Sequence, residues 1–446
     1  MAKSTTVYVC SSCGNESAKW YGKCPECGEW NTFQEFKVEG SPRGVKKNLG
    51  KAGSDELELK NLGDIALDPI KRITTGIEEF DRVLGGDKNK GIVPGSVILI
   101  SGDPGIGKST LMLQLAINLS QDSKKVLYIS GEESEGQISH RAQRIANQKK
   151  LSDSTIKVIS STDIDQVFHA ISREQIDLII LDSVQTIGSE QVAGFPGSLP
   201  QIRYVGMKVS HFAKKNNVPV FMVGHVTKEG VVAGPQLLSH MVDAVLYLEG
   251  ESLTGTRIIR SFKNRFGDTS EVGIFVMEEK GLAQITEVES FFIDTKKSAV
   301  GSSATVIQEG SRPLLVEIQA LAIKSNLSFP RRVSTGISEK RLEMLLAVLQ
   351  KHGRLNTYDY DIFVNVVGGL KIAETASDLS VIASITSSIK NKPLKKTVAI
   401  GEVGLLGEVK SVIQLDRRIK EAEKFGFKNI FSLKNVGNVA NLVQNI

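Results

Sequence analysis

The most constraining feature of the chain is a glycine-rich stretch between an apolar run and a helical pattern. Residues 97–100 are Val-Ile-Leu-Ile, a run typical of a buried strand. The sequence GDPGIGKS follows at 102–109, and apolar residues between 111 and 119 begin a helix. The pattern G-x-x-x-x-G-K-[ST], with a strand before it and a helix after it, predicts a phosphate-binding loop.

Each residue type in this loop suits a nucleoside triphosphate. The glycines permit backbone turns that side chains forbid, and the freed amides and the helix N-terminus can then face phosphate oxygens. Lys108 adds a positive charge at the β- and γ-phosphates, and the hydroxyl of Ser109 is a hard oxygen ligand for Mg²⁺. We therefore predict ATP and Mg²⁺ as cofactors. The predicted nucleotide-binding residues are Gly102, Asp103, Pro104, Gly105, Ile106, Gly107, Lys108, Ser109 and Thr110.

The overall composition is that of a folded, multidomain chain. The 446 residues are 41% hydrophobic, which is enough for two or three folded cores. No stretch is long and apolar enough to span a bilayer, and the N-terminus lacks the pattern of a secretory signal. We expect a cytoplasmic protein without a membrane partner. The net charge of +5 is compatible with a polyanionic partner.

Four cysteines lie within the first 27 residues as two C-x-x-C pairs: Cys10 with Cys13, and Cys24 with Cys27. Two such pairs can supply four thiolates to one tetrahedral Zn²⁺, so residues 1–36 are predicted to form a zinc ribbon. Free thiols or a redox pair are the alternative. The ribbon is either purely structural or binds nucleic acid or protein. Glycines among lysines and arginines predict a flexible basic linker at 37–60.

Alternating apolar runs and helical patterns follow the loop. Strands are predicted at 126–130, 156–160, 176–182 and 218–225, with helices between them. This order predicts a parallel sheet covered by helices, within an ATPase domain at 61–284. Ligands of such sheets bind at the carboxyl ends of the strands.

Polar residues stand at three of these strand ends. Asp182 closes an apolar run and is predicted to hold the magnesium shell. Glu132 and Glu133 end a neighbouring strand, and either carboxylate can polarise an attacking water. The residues themselves do not separate the two. His225 ends a further strand, where a structural role is the alternative to a functional one.

The stretch TGIEEFDRVLGG at 75–86, followed by PGSVILISGDPGIGKST at 94–110, resembles the entry to RecA-type ATPase domains and, more closely, the bacterial RadA/Sms family. Asp87 stands at the position where the family pattern has a third glycine. The resemblance implies that Glu132 is the residue that orients water and that His225 senses the γ-phosphate. It also implies that the loop at 227–240 faces DNA. The preceding loop at 183–198 is a second candidate for a DNA contact, and plain connectors are the alternative for both.

The sequence KNRFG is a signature of this family and stands intact at 263–267. The motif comprises Lys263, Asn264, Arg265, Phe266 and Gly267. Two cations around an aromatic residue can reach the γ-phosphate of a neighbouring subunit, as an arginine finger does. A contact to DNA phosphates is the alternative. We expect Lys263 and Arg265 to act across a subunit interface, which requires an oligomer.

Residues 285–446 resemble the Lon protease domain, in which a Ser–Lys dyad cuts peptides. Ser377 falls near the position of the serine, but Asp416 stands where the lysine is expected, beside Arg417. We predict an ionised, paired Asp416 and a peptidase-like scaffold without protease activity. The scaffold would serve oligomer assembly and would track DNA. Its candidate DNA-tracking cations are Lys371, Lys410, Arg417, Arg418 and Lys420.

The resemblance to RadA/Sms covers nearly the whole chain. It implies an α/β fold: a RecA-like P-loop ATPase core with an N-terminal zinc ribbon and a C-terminal α+β Lon-protease-like domain. The implied function is a DNA-dependent ATPase of recombinational repair. It would act as a hexameric ring on single-stranded and branched DNA, promoting branch migration or unwinding with the RecA recombinase. The alternatives are an ATP-dependent Lon-like protease and a KaiC-like regulatory ATPase without DNA activity.

Overall fold

A computed structural model of the chain describes residues 5–10, 16–17, 19–25, 28–30, 32–38, 71–86, 89–146, 151–224, 238–250, 255–285, 293 and 299–446. The predictions for Cys13, Cys27 and His225 lie outside the described residues. The same holds for the predicted linker beyond residue 38 and for loop residues 227–237.

The N-terminal unit is a three-stranded antiparallel sheet with the order β2-β1-β3. Its strands are β1 (Thr5–Cys10), β2 (Glu16–Ser17) and β3 (Phe33–Val38). Among the described residues of this unit, Cys10, Cys24 and Phe33 form one buried cluster. A unit of this length is of the size that commonly relies on a bound metal for stability.

A nine-stranded sheet forms the central unit, and its six parallel strands have the order β9-β4-β8-β7-β5-β6. These strands are β4 (Val97–Gly102), β5 (Val126–Ser130), β6 (Ile156–Ser160), β7 (Leu178–Asp182), β8 (Val220–Val223) and β9 (Ala244–Gly250). Five of them alternate with helices along the chain, which confirms the predicted parallel sheet.

Helices cover both faces of this sheet. They are α1 (Glu78–Leu84), α2 (Lys108–Gln121), α3 (Glu135–Ile145), α4 (Ile164–Ala170) and α5 (Leu199–Asn216). On one face, Leu111 and Leu115 of α2 belong to the same buried cluster as Ile98. On the other face, Val205 of α5 belongs to a cluster with Leu99. Burial on both sides explains why strand β4 is a continuous apolar run rather than an alternating one.

Three antiparallel strands extend the sheet beyond β9, an extension that the sequence patterns did not predict. They are β10 (Thr256–Asn264), β11 (Val272–Glu278) and β12 (Gly281–Gln284). Strand β9 runs parallel to β4, and β10 returns beside it in the opposite direction. The start of β10 therefore lies at the phosphate-loop end of the sheet, and its end lies at the opposite end.

The C-terminal unit is an α+β layer built on a six-stranded mixed sheet with the order β15-β16-β14-β13-β17-β20. Its strands are β13 (Ser302–Glu309), β14 (Arg312–Lys324), β15 (Arg332–Thr335), β16 (Tyr360–Val366), β17 (Thr397–Ile400) and β20 (Asn429–Ser432), with a separate ribbon of β18 (Glu402–Val403) and β19 (Val409–Lys410). Its helices are α6 (Glu339–Gly353), α7 (Asp378–Lys390), α8 (Leu415–Lys424) and α9 (Val439–Asn445).

The two large units share a core. One buried cluster joins Ile258 and Ile274 of the nine-stranded sheet to Val316 of β14. At the turn between β13 and β14, Arg312 pairs with Glu79 of α1 at 3.0 Å, and Glu79 is only 3% exposed. The two units are therefore packed against each other through a common apolar cluster and a buried ion pair. Within the described ranges, no helix is both long and apolar enough to cross a membrane.

Candidate functional site

The phosphate loop joins β4 to α2 through backbone conformations that require glycine. Gly107 has a φ of +115° and precedes α2, whose first amides have no side-chain cap among the described residues. Gly102 has a φ of +148°, and a Cβ there would lie 2.2 Å from the carbonyl oxygen of Leu248. The loop therefore leaves backbone N–H groups at a helix N-terminus available to an anion.

Lys108 is buried inside this loop. Its side chain is 3% exposed, and its Nζ donates to the carbonyl oxygens of Gly102 at 2.8 Å and Asp103 at 2.9 Å. Burial lowers the pKa of Lys108 to about 8, while the charges of Asp182, Asp103 and Glu132 act in the opposite direction. The predicted loop lysine and both predicted carboxylates are thus brought into one electrostatic site.

Asp182 ends β7 and is 8% exposed, directly beside Ser130 at the end of β5. The hydroxyl of Tyr128 donates to its Oδ2 at 2.6 Å. Ser109, in the first turn of α2, is half-buried. A carboxylate and a hydroxyl at the phosphate end of the sheet are the oxygen donors that Mg²⁺ prefers, so these residues fit the metal.

The contacts of the two neighbouring glutamates differ. Ser183, the residue after Asp182, donates to Oε1 of Glu132 at 2.5 Å, so the Glu132 carboxylate lies at the same strand ends as Asp182. Glu133 instead forms an ion pair with Arg141 of α3. A carboxylate oxygen that already accepts from a guanidinium is less available to accept from a water molecule. The geometry therefore favours Glu132 over Glu133 as the group that orients water.

Arg257 contributes to the site and was missed by the sequence reasoning. It is 6% exposed at the start of β10, and its Nε donates to the carbonyl oxygen of Ile106 in the phosphate loop at 3.1 Å. The adjacent Thr256 donates to the carbonyl oxygen of Gly368 in the C-terminal unit at 3.0 Å. The start of β10 thus links the phosphate loop to the C-terminal unit.

The KNRFG motif divides into docked and exposed side chains. Lys263 donates to the carbonyl oxygens of Ser239 and Val242, each at 2.7 Å. Asn264 donates to two carbonyl oxygens of α1. Gly267 packs on Gly85, and a Cβ added at Gly85 would lie 2.7 Å from the Cα of Gly267.

Arg265 is the exposed cation of the motif. Its side chain is 56% exposed, with a contact of 3.3 Å to Asp243. These contacts favour Arg265 over Lys263 as the group that reaches another molecule.

The motif lies at the end of the sheet opposite the phosphate loop. Asp243, the partner of Arg265, accepts from the amide of Val97 at the start of β4, and the loop begins at Gly102. Five residues of strand separate these points, or about 16 Å at 3.3 Å per residue. Arg265 is thus remote from the phosphate loop of its own subunit.

The loop at 183–198, the second candidate for a DNA contact, has a buried side chain at its centre. Gln201 is 2% exposed, accepts from the amide of Ser189 at 2.8 Å, and donates to the carbonyl oxygens of Val192 and Gly194. Phe195 at the loop tip is 78% exposed. The loop is therefore ordered from within and presents an aromatic ring outward.

Two of the four predicted zinc ligands are described. Cys10 and Cys24 are both buried in the N-terminal unit, and the thiol of Cys10 donates to the hydroxyl of Thr32 at 3.1 Å. Two buried cysteines in so short a unit fit a structural metal.

The C-terminal predictions need two corrections. Asp416 is ionised and paired as predicted, but its partner is Lys434 at 2.5 Å rather than Arg417, and Lys434 holds its pKa below the usual range. Arg418 is not a surface cation: it is 2% exposed and forms a bidentate pair with Glu374 at 2.7 Å.

Ser377 lies at the start of α7 and is 3% exposed. Its hydroxyl donates to the carbonyl oxygen of Glu374 at 3.4 Å. No lysine contacts Ser377 within the part of the chain that the structure describes. A serine without a base is a poor nucleophile.

Two family models and several solved structures match parts of the chain. The AAA domain family model matches residues 87–231, and the rubredoxin metal binding domain model matches residues 8–35. The ATPase domain of G40P covers 48% of this chain and 92% of that chain at 16% identity, with a TM-score of 0.41. The RadB recombinase covers 48% of this chain and 99% of that chain at 22% identity, with a TM-score of 0.38.

Curated relatives match the chain nearly end to end. DNA repair protein RadA of Pseudomonas aeruginosa is 46% identical over 96% of this chain and 92% of its own length. DNA repair protein RadA of Bacillus subtilis is 43% identical over 96% of this chain and 93% of its own length. With this identity across ribbon, ATPase sheet and C-terminal unit, the chain belongs to the RadA family of DNA repair proteins.

Proposed function

We propose that the chain is a DNA-dependent ATPase of recombinational repair whose hydrolysis site is shared between neighbouring subunits of a ring. One observation carries the proposal. The phosphate loop, Asp182 and Glu132 converge at one end of the sheet, while the exposed Arg265 lies about 16 Å away at the other end. A cation so placed serves the site of a neighbour better than its own.

Within one subunit, the loop amides and Lys108 bind the triphosphate. Lys108 exchanges its two carbonyl contacts for phosphate oxygens, which favours its protonated form. Ser109 and Asp182 would hold Mg²⁺, which neutralises phosphate charge. Glu132 orients the attacking water and takes up its proton, supported by the hydrogen bond from Ser183.

Across the interface, Arg265 stabilises the charge that develops on the γ-phosphate. Lys263 acts indirectly in this account, because its ammonium group holds the backbone that follows the 227–237 loop. Closure of the ring would then complete each site. This arrangement couples ATP turnover to oligomer assembly and requires a homo-oligomer, proposed to be a hexamer.

The nucleic-acid partner is proposed from the family and from the loops. The relatives are named DNA repair proteins, and the loop at 183–198 presents an exposed Phe195 on a backbone ordered by Gln201. An aromatic side chain that faces the central channel of an oligomer can stack on unpaired bases without recognising their sequence. We propose single-stranded and branched DNA as ligands and branch migration or unwinding with RecA, in the cytoplasm, as the outcome.

The two flanking units have supporting roles in this proposal. The ribbon would bind Zn²⁺ through Cys10, Cys13, Cys24 and Cys27. The C-terminal unit would act as a Lon-protease-like scaffold for assembly without cutting peptides, which the contacts of Ser377 support. With Arg418 removed from the candidates, its DNA-tracking surface would be formed by Lys371, Lys410, Arg417 and Lys420.

The test is ATP hydrolysis by the purified full-length chain with and without single-stranded DNA, followed by branch migration with RecA. The expected result is hydrolysis that DNA stimulates and that Lys108→Ala abolishes. Hydrolysis indifferent to DNA would favour a regulatory ATPase instead, and casein degradation with ATP would favour a protease. Turnover retained in Lys108→Ala would refute the assigned site.

A further inference from the structure

A buried tyrosine contacts the candidate metal-binding carboxylate. Tyr128 lies in β5 and is 1% exposed, within the apolar cluster that packs α2 on the sheet. Its hydroxyl donates to Oδ2 of Asp182 at 2.6 Å, from the strand that neighbours β7. A phenol is an expensive group to place in an apolar core unless its hydroxyl has a partner. Phenylalanine would fill the same space without this requirement.

The direction of this hydrogen bond follows from the chemistry of its two ends. An ionised carboxylate has only acceptor oxygens, whereas a phenol carries one O–H group that can donate. Tyr128 is therefore the donor and Oδ2 of Asp182 the acceptor.

We propose that Tyr128 is a positioning residue for Asp182: its hydroxyl occupies Oδ2 and leaves Oδ1 as the oxygen that faces the Mg²⁺ shell. The inference rests on the proposed function, in which Asp182 holds that metal. Partners that fix a metal-binding carboxylate set both its orientation and its affinity for the ion, and their removal typically costs 10- to 100-fold in metal affinity. No sequence motif marks this tyrosine.

The test uses Tyr128→Phe in the full-length chain, with Tyr204→Phe as a matched control. Tyr204 also donates to a carboxylate, that of Asp165 at 3.1 Å, in the same domain but away from the phosphate loop. Binding of a fluorescent, non-hydrolysable ATP analogue is titrated first with EDTA and then with increasing Mg²⁺. Binding of Mn²⁺ to the analogue complex is followed by electron paramagnetic resonance.

We expect Tyr128→Phe to bind the analogue as wild type does in EDTA, because the loop and Lys108 are unchanged. The Mg²⁺ concentration at half-saturation should rise about tenfold, the lower end of the range for such partners. Tyr204→Phe should leave it unchanged. In a double-mutant cycle, Tyr128→Phe should add nothing to the effect of Asp182→Asn, since the tyrosine acts only through that carboxylate.

Three results would overturn the inference. The first is an unchanged Mg²⁺ midpoint in Tyr128→Phe. The second is loss of metal-free analogue binding, which would assign Tyr128 to the fold of the pocket. The third is an additive effect in the Asp182→Asn background. Failure of the proposed function would give a different result, in which the wild-type chain binds the ATP analogue equally well with and without Mg²⁺. That result would refute the metal site itself, and with it the role of Tyr128.

Discussion

The buried ammonium group of Lys108 predicts a specific pH dependence of nucleotide binding. Its pKa in the free protein is about 8, because burial disfavours the charged form. Bound phosphates favour the charged form and raise this pKa, so binding takes up a proton whenever the free lysine is neutral. ATP affinity should therefore be constant below pH 7 and fall as the pH rises through 8.

The magnitude follows from the fraction of free protein that carries the proton. At pH 9 only about a tenth of the Lys108 side chains are charged, so ATP should bind about tenfold more weakly than at pH 7, or about 1.4 kcal/mol. The assay is calorimetric titration at saturating Mg²⁺ in two buffers of different ionisation enthalpy, which also measures the proton uptake directly.

Lys108→Arg is the matched control for this prediction. A guanidinium stays charged over the whole range, so the variant should bind ATP without proton uptake, whatever its absolute affinity. An affinity that stays constant from pH 7 to pH 9.5 in the wild type, with no proton taken up at pH 9, would refute the reasoning.

Three further predictions concern residues whose contacts distinguish them from their neighbours. Glu132→Gln should lower kcat at least about 100-fold while ATP still binds, whereas Glu133→Gln should change kcat far less, and single-turnover hydrolysis compares the two. Arg257→Gln should weaken ATP binding about tenfold, which is the order expected for the loss of one charged hydrogen bond to the phosphate loop. A fluorescence titration measures this affinity, and an unchanged value would show that the loop does not depend on Arg257. Arg418→Met should lower the free energy of unfolding by about 2–3 kcal/mol in urea. The loss is smaller than for a fully buried ion pair, because its partner Glu374 is partly exposed. Unchanged stability together with impaired DNA binding would instead support a surface role for Arg418.

Local patterns were sufficient to predict the parallel sheet and the phosphate loop. Continuous apolar runs such as residues 97–100 indicate strands buried on both faces, and the glycines at 102, 105 and 107 mark the turn between strand and helix. Positive φ angles at all three glycines agree with that interpretation. Asp182 and the pair Glu132 and Glu133 became candidates because carboxylates at the ends of apolar strands are not chosen by burial alone.

Contacts between distant segments could not be predicted in the same way. Arg257 meets Ile106 across 151 positions, and Arg312 meets Glu79 across 233. Nothing in either local sequence marks these pairs, since an arginine near a strand end is usually solvated. The antiparallel extension, whose first strand carries Arg257, was missed for the same reason.

The error at Arg418 was avoidable. Leu415, Ile419 and Ala422 form an apolar face of α8 at helical spacing, and Arg418 stands three residues after Leu415 and four before Ala422. Period 3.6 places it on the buried face. The basic composition of the segment favoured a solvated helix, but periodicity is the better guide to which cation is buried.

The most direct test of the shared hydrolysis site is a mixing experiment with two inactive variants. Arg265→Ala keeps the phosphate loop and lacks the exposed cation, whereas Lys108→Ala keeps Arg265 and lacks nucleotide binding. Each alone should show almost no DNA-stimulated hydrolysis.

Co-assembled in equal amounts, the two variants should regain about a quarter of the wild-type rate, since one interface in four of a randomly mixed ring pairs an intact loop with an intact Arg265. Full activity of Arg265→Ala alone, or a co-assembled mixture no more active than its parts, would contradict the account.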